Sequence, residues 1–353
     1  MKTLSYLIIF VMATCHSITA QGAASQQDTR AQFVPGEIWH DNNGVHINAH
    51  GGGILFHQDT YYWFGEHKIE GKTGNKAHVG VHCYSSTDLY NWDDQGISLK
   101  VSDDTSSDIT KGCILERPKV IYNAKTKKFV MWFHLELKGQ GYETARSGVA
   151  IADIVTGPYT FLRSFRPDGQ MARDMTLFVD DDGKAYHLYA SEDNNTMHIS
   201  LLTDDYLTPS GKYERVFPGR YMEAPAICKR KGRYYLIASG CTGWKPNAAR
   251  SAVAESIWGP WKELGNPCVG INPMNRLGPE KTFGGQSTFI LPVQGKEDAF
   301  IVMFDIWRPK NAIDGRYVWL PILFTEGDGG FKIEWLNKWD LSIFDNKPAS
   351  DPN

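Results

Sequence analysis

The chain has little that would place it among helical, nucleic-acid-binding or disulfide-built proteins. No stretch sustains a 3.6-residue apolar period, so helices are not expected to build the core. Basic residues are scattered, as at Lys127-Lys128 and Lys229 to Arg233, and the formal net charge is −3, so no stripe suited to phosphates exists and nucleic acid is excluded as a partner. Cysteine is sparse: six residues, of which Cys15 falls in an apolar leader, leaving Cys83, Cys113, Cys228, Cys241 and Cys268. That number is odd and the spacing fits no zinc pattern. Reduced buried thiols are the expected state, with a Cys228–Cys241 pairing across one hairpin as the alternative. Beyond residue 20 no apolar run is long enough to span a bilayer, and no linker implies a second domain.

What is abundant is aromatic side chain, 12% of 353 residues with 11 Trp and 16 Tyr. Flat rings suit packed sheets, and they also suit sugars, whose C–H faces stack on them. Residues 1–20, MKTLSYLIIFVMATCHSITA, read as a secretory signal peptide cleaved after Ala20, which implies a secreted or periplasmic protein. Lipid attachment at Cys15 is the lesser alternative, since Met12-Ala13-Thr14 matches a lipoprotein box poorly. A linker over 21–31, one catalytic domain over 32–345 and a frayed tail over 346–353 complete the expected layout.

Within the domain five hairpin-like pieces recur, at Gly51 (GGGILFHQDTYYWFGE), Arg117 (RPKVIYNAKTKKFVMWFHLE), Arg173 (RDMTLFVDDDGKAYHLYAS), Tyr221 (YMEAPAICKRKGRYYLIASG) and Gln286 (QSTFILPVQGKEDAFIVMFDIW). Repeats of this length that are strand-rich mark propeller blades, so the expected fold is an all-β, five-bladed β-propeller in a single domain. The segment from Phe33 to Trp39 is expected as a strand closing the ring. Glu116, Asp174, Glu223 and Gln286 stand at the mouths of four hairpins. Equivalent positions of a radial array face one channel, so these four side chains are expected to converge.

These residues carry a resemblance. Glu223-Ala224-Pro225-Ala226-Ile227 ahead of Tyr234-Tyr235, together with Asp174 opening a strand that ends at Phe178 and Asp180 to Gly183, resembles glycoside hydrolase family 43 over nearly the whole mature chain. The Asp that most of that family carries in blade one is missing from His46-Ile47-Asn48-Ala49-His50-Gly51, whereas Glu116-Arg117-Pro118 and Gly285-Gln286-Ser287 resemble the exo-β-1,3-galactanase subgroup. The resemblance implies an exo-acting, inverting glycosidase releasing galactose from β-1,3-galactan, the arabinogalactan backbone. Glu223 would be the acid, Gln286 the water-activating residue, Glu116 its support and Asp174 the neighbour that raises the acid. Because an amide hardly accepts protons, Gln286 acts either through its imidic tautomer or by placing water while Glu116 supplies charge.

Glu66 and Glu214 resemble the subgroup's sugar contacts. Tyr142, Asn194, Asn195 and Thr242 sit in loops beside inner strands, and Trp244 offers a stacking face; ordinary loop bonding and core packing are the plain alternatives. A channel calcium occurs in the wider family, but no ligand set here demands one, and no cofactor is expected. A monomer acting on a plant-type polysaccharide is the expected form. The alternatives are an α-L-arabinofuranosidase or β-xylosidase on the same scaffold, or a non-catalytic galactan-binding propeller.

Overall fold

The computed structural model describes residues 29–325 and 329–345. The signal peptide over 1–20, Cys15, most of the linker and the tail over 346–353 lie outside the described residues. Four antiparallel, four-stranded meanders follow one another along the chain. The first holds β1 (His50–His57), β2 (Thr60–Glu66), β3 (Gly80–Ser86) and β4 (Asp93–Lys100). The second holds β5 (Ile114–Asn123), β6 (Lys128–Glu136), β7 (Arg146–Ala152) and β8 (Thr160–Phe165). The third holds β9 (Met175–Val179), β10 (Ala185–Ser191), β11 (Thr196–Leu202) and β12 (Pro209–Val216). The fourth holds β13 (Met222–Arg230), β14 (Arg233–Gly240), β15 (Arg250–Ala254) and β16 (Lys262–Gly265).

The expected count of five blades is corrected to six, because the remaining strands divide into two sheets. One is β18 (Gln286–Pro292), β19 (Phe300–Ile306) and β20 (Arg316–Pro321). The other joins β17 (Cys268–Val269), β21 (Leu323–Phe324) and β22 (Phe331–Glu334), with Cys268 opposite Ile333 in a parallel pair. This small sheet contains no copy of the repeated hairpin, which is why counting hairpins missed it. Strands β1, β5, β9, β13 and β18 lie side by side around the axis, with β18 returning to β1.

The described chain is all-β apart from four short 3-10 turns. No helix among the described residues is long and apolar enough to cross a membrane. The Phe33–Trp39 stretch makes an isolated bridge rather than a strand, yet it does tie the two ends together. Phe33 donates its N–H to the Trp339 carbonyl at 2.7 Å, and Gly36 donates to Tyr317 O at 2.7 Å. Around that joint Phe33, Trp39, Trp63, Trp92, Trp319 and Trp339 pack with each other, which places five of the eleven tryptophans in the core. Each such ring removes roughly 150–250 Å² from water, so the closure is held largely by hydrophobic burial. Cys83, Cys113, Cys228, Cys241 and Cys268 are all free thiols, so Cys228 and Cys241 are not joined.

Candidate active site

One backbone device recurs where the inner strands begin. The β1–β2 register slips between His50 and Gly53, the β5–β6 register between Glu116 and Lys119, the β13–β14 register between Glu223 and Ala226, and the β18–β19 register between Ser287 and Phe289. In three of these slips the residue after the mouth position is left-handed: Gly51 at φ 60°, Arg117 at φ 57° and Ala224 at φ 55°. A bulge of this kind bends the strand and re-aims the side chain before it. For Arg117 and Ala224, which carry a Cβ, that conformation costs about 1–2 kcal/mol each. Strain repeated at matching positions belongs with the placing of Glu116 and Glu223. Asp174 reaches the same mouth by standing one residue before β9, where its carbonyl accepts the Ala190 N–H at 2.9 Å.

These side chains surround a cavity of about 300 Å³, walled also by Glu66, Lys68, Tyr142, Arg173, Asn194 and Trp307. Arg117 stands at its centre. Its Nη2 donates to Asp174 Oδ2 at 2.9 Å and to Gln286 Oε1 at 2.6 Å, and its Nη1 donates to the Ser287 carbonyl at 3.1 Å. The guanidinium lies 5.2 Å from the Trp307 ring centroid. Burial works against the charged form of Arg117, but Asp174 and Glu66 more than offset it and raise its pKa.

The Gln286 amide is fully engaged. Its Oε1 accepts from Arg117 and from Trp307 Nε1 at 2.8 Å, while its Nε2 donates to Glu223 Oε1 and to Ser239 Oγ, both at 2.9 Å. Arg and Trp side chains only donate, so the amide oxygen must face them and the orientation is chemically determined. Burial and the nearby Asp174 carboxylate push Glu223 up to about 7. The two outer carboxylates differ from it. Burial opposes ionisation of Glu116, yet the hydrogen bond and charge of His134 hold it down to about 2. His134 is itself disfavoured as a cation by burial and pushed up to about 9 by Glu116 and Glu136, which flank its two ring nitrogens at 3.2 and 2.9 Å. Tyr142 donates to the other Glu116 oxygen at 2.8 Å. Burial raises Glu66, against its ion pair with Lys68.

Of the residues expected from the sequence, Glu66, Glu116, Tyr142, Asp174, Asn194, Glu223, Trp244 and Gln286 line this cavity. Glu214 does not: it is exposed on β12, the outermost strand of its blade. Asn195 turns away to bind Thr196 and the Gly219 N–H. Thr242 braces its own loop, donating to the Lys245 carbonyl and accepting from Asn247. Sequence reasoning overlooked Arg117, His134 and Trp307 as wall residues. Arg117 was within the quoted Glu-Arg-Pro motif, but nothing in the sequence marked its side chain as the hub. Glu116, His134 and Asp174 also offer ligand atoms within 4.8 Å of one another. Both ring nitrogens of His134 already face carboxylates, Glu116 and Glu136.

Residues 50–298 match the family model for glycosyl hydrolases family 43. A solved family 43 β-1,3-galactosidase with bound galactodeoxynojirimycin is 50% identical, over 88% of this chain and 100% of that one, with a TM-score of 0.83. An exo-β-1,3-galactanase from Phanerochaete chrysosporium, solved with β-1,3-galactotriose, is 36% identical over 88% of this chain and 68% of that one, with a TM-score of 0.78. A curated relative, a xylan 1,3-β-xylosidase of a Vibrio species, is 25% identical over 52% of this chain and 36% of its own length. The chain thus spans about a third of the length of the curated relatives it matches.

Proposed function

Since the chain belongs to the glycosyl hydrolases of family 43, we propose that it is an exo-acting, inverting glycosidase that releases galactose from β-1,3-galactan. The observation that carries this reading is the meeting of Glu223, Asp174, Glu116 and Gln286 in one sugar-sized cavity with Glu223 raised to about 7. Solved proteins similar to this chain over most of its length are described as β-1,3-galactosidases and exo-β-1,3-galactanases, which favours galactan over xylan or arabinan.

Inverting hydrolysis needs a protonated acid on the leaving oxygen and a second group that draws a proton from water on the opposite face. Glu223 supplies the first, because a carboxyl raised to about 7 keeps its proton in neutral solution. Gln286 serves as a brace. Its imidic form would turn an O–H toward Arg117 and Trp307, which offer only donors, and this favours the amide holding Glu223 and placing water over its taking a proton. Ionised Glu116 then supplies the negative charge that draws the water's proton, with Tyr142 and His134 fixing its two oxygens. Arg117 ties Asp174 to Gln286 and so keeps the second carboxylate beside the acid. Trp244, 43% exposed at the rim, offers a face for the apolar side of a sugar. No step here calls for a metal or organic cofactor. A secreted or periplasmic location and a monomeric state accompany the proposal.

The product profile tests it. Incubation with β-1,3-galactan is expected to give free galactose without internal fragments, and little turnover of p-nitrophenyl arabinofuranoside or xyloside. Random shortening of the polymer, or faster pentoside cleavage, would overturn the reading. Binding of galactan with undetectable hydrolysis would favour a carbohydrate-binding propeller instead. Comparing Glu116→Gln with Gln286→Ala separates the two water schemes. Loss of a general base costs roughly 10²–10⁴ in rate, and that loss is expected in Glu116→Gln, with a smaller one in Gln286→Ala.

A further inference from the structure

Next to the cavity just described lies a smaller one of about 100 Å³, lined by Lys68, Lys72, Asn75, Trp244, Trp307, Arg308, Pro309 and Ala312. The two share Lys68, Trp244 and Trp307, so the smaller is an annex reached past the indole pair, whose rings cross edge to face at 5.9 Å. Their charge balance differs. Four carboxylates share the main cavity with Lys68, Arg117, His134 and Arg173, while the annex has three cationic wall residues and no acidic one. Lys68 is spent on Glu66, but Lys72 and Arg308 are exposed and have no acidic partner among the described residues. The loops that carry them are pinned to each other. Gly71 donates to Asn311 Oδ1 at 2.9 Å, Ala312 N donates to the Gly71 carbonyl at 3.4 Å, and the absence of a Cβ at Gly74 admits the Ala312 methyl.

Resting on the galactanase reading above, we propose that the annex receives an anionic branch of the substrate, the carboxylate of a uronic acid attached to the galactan. Glu116, Asp174, Glu223 and Gln286 are all absent from its walls, so its occupant is a substituent and not the scissile linkage. A planar carboxylate suits the fork of Arg308, with Lys72 as a second charge and the Asn75 amide as a neutral donor. The annex, unlike the main cavity, has no carboxylate on its walls to oppose that charge.

The test compares kcat/KM of the full-length protein on three probes: unbranched β-1,3-galactotriose, the same trisaccharide carrying a β-1,6-linked glucuronic acid, and its carboxyl-reduced counterpart. The branch is placed on the terminal galactose and, separately, on the next. At one of these positions the acid branch is expected to be preferred over the reduced branch by about 3–10-fold, the range for one or two exposed ion pairs. That preference is expected to vanish in K72A/R308A and to shrink with added salt, while the variant's rate on unbranched galactotriose stays at the wild-type value. A ratio within about twofold at both positions, or one that survives the double variant, would overturn this proposal while leaving the galactanase reading intact. No release from unbranched galactotriose would sink the galactanase reading, and this proposal with it.

Discussion

Blade one and blade four begin in the same way and end in different chemistry. Both inner strands carry a bulge after the mouth residue, with the next residue left-handed, Gly51 in one and Ala224 in the other. Blade four presents Glu223 there, half-buried and facing a cavity. Blade one presents His50, fully buried, stacked on Tyr317 at 5.2 Å and outside the cavity wall. Burial and the charge of Lys68 hold His50 well below its ordinary pKa, so it stays neutral where Glu223 is poised to exchange a proton. The backbone fixes where a side chain enters, and the residue type decides whether that entrance does chemistry.

The sharpest way to break this comparison is to exchange the mouth residues for the same neutral amide. Glu223→Gln is expected to lower kcat/KM on β-1,3-galactobiose by roughly 10²–10⁴, while His50→Gln changes it by less than about tenfold and acts mainly on stability. Equal losses from both would show that the two blades are functionally alike.

Next in size is the backbone itself. A Cβ at Gly51 would come within 2.1 Å of Glu66 Oε1, at a φ of 60°. At Gly243, φ 57°, a Cβ would meet nothing within 4 Å. Gly51→Ala is therefore expected to destabilise by about 3 kcal/mol or more, and Gly243→Ala by about 1–2 kcal/mol. Denaturant midpoints of the two variants measure the difference.

The smallest effects are in pH. Under the proposed mechanism Glu223, raised from 4.5 to about 7, acts in its protonated form, so kcat/KM is expected to fall as pH rises through 7. His134 is raised from 6.5 to about 9. The stability it contributes is present below pH 6.5 and is lost as pH climbs through 9. Thermal melts of the wild type should decline across that window. Those of Glu116→Gln, which removes one of the two carboxylates facing His134, should decline less.

Much of this architecture could be read from the chain before its coordinates. Strand alternation and the recurring hairpins exposed the propeller, and the polar residues heading four hairpins exposed the convergence, because matching places in a radial array share a channel. The sixth sheet escaped because it joins strands of two to four residues, one of them pairing across a gap of some sixty residues, with no periodicity to mark it. Glu214 resembled a sugar contact but lies on an outer strand, since a sequence does not say how far from the axis each strand of a blade sits. Arg117 was in plain view inside its motif. What could not be read is that one guanidinium would bond residues 57 and 169 positions away, Asp174 and Gln286, because such contacts exist only once the ring is closed.

The most direct measurement of the central claim, that these residues act as an inverting acid and water pair, is proton NMR of β-1,3-galactobiose during the first minutes of reaction. Galactose should appear first as the α anomer and drift to the equilibrium mixture afterwards. Initial release of the β anomer would contradict the account.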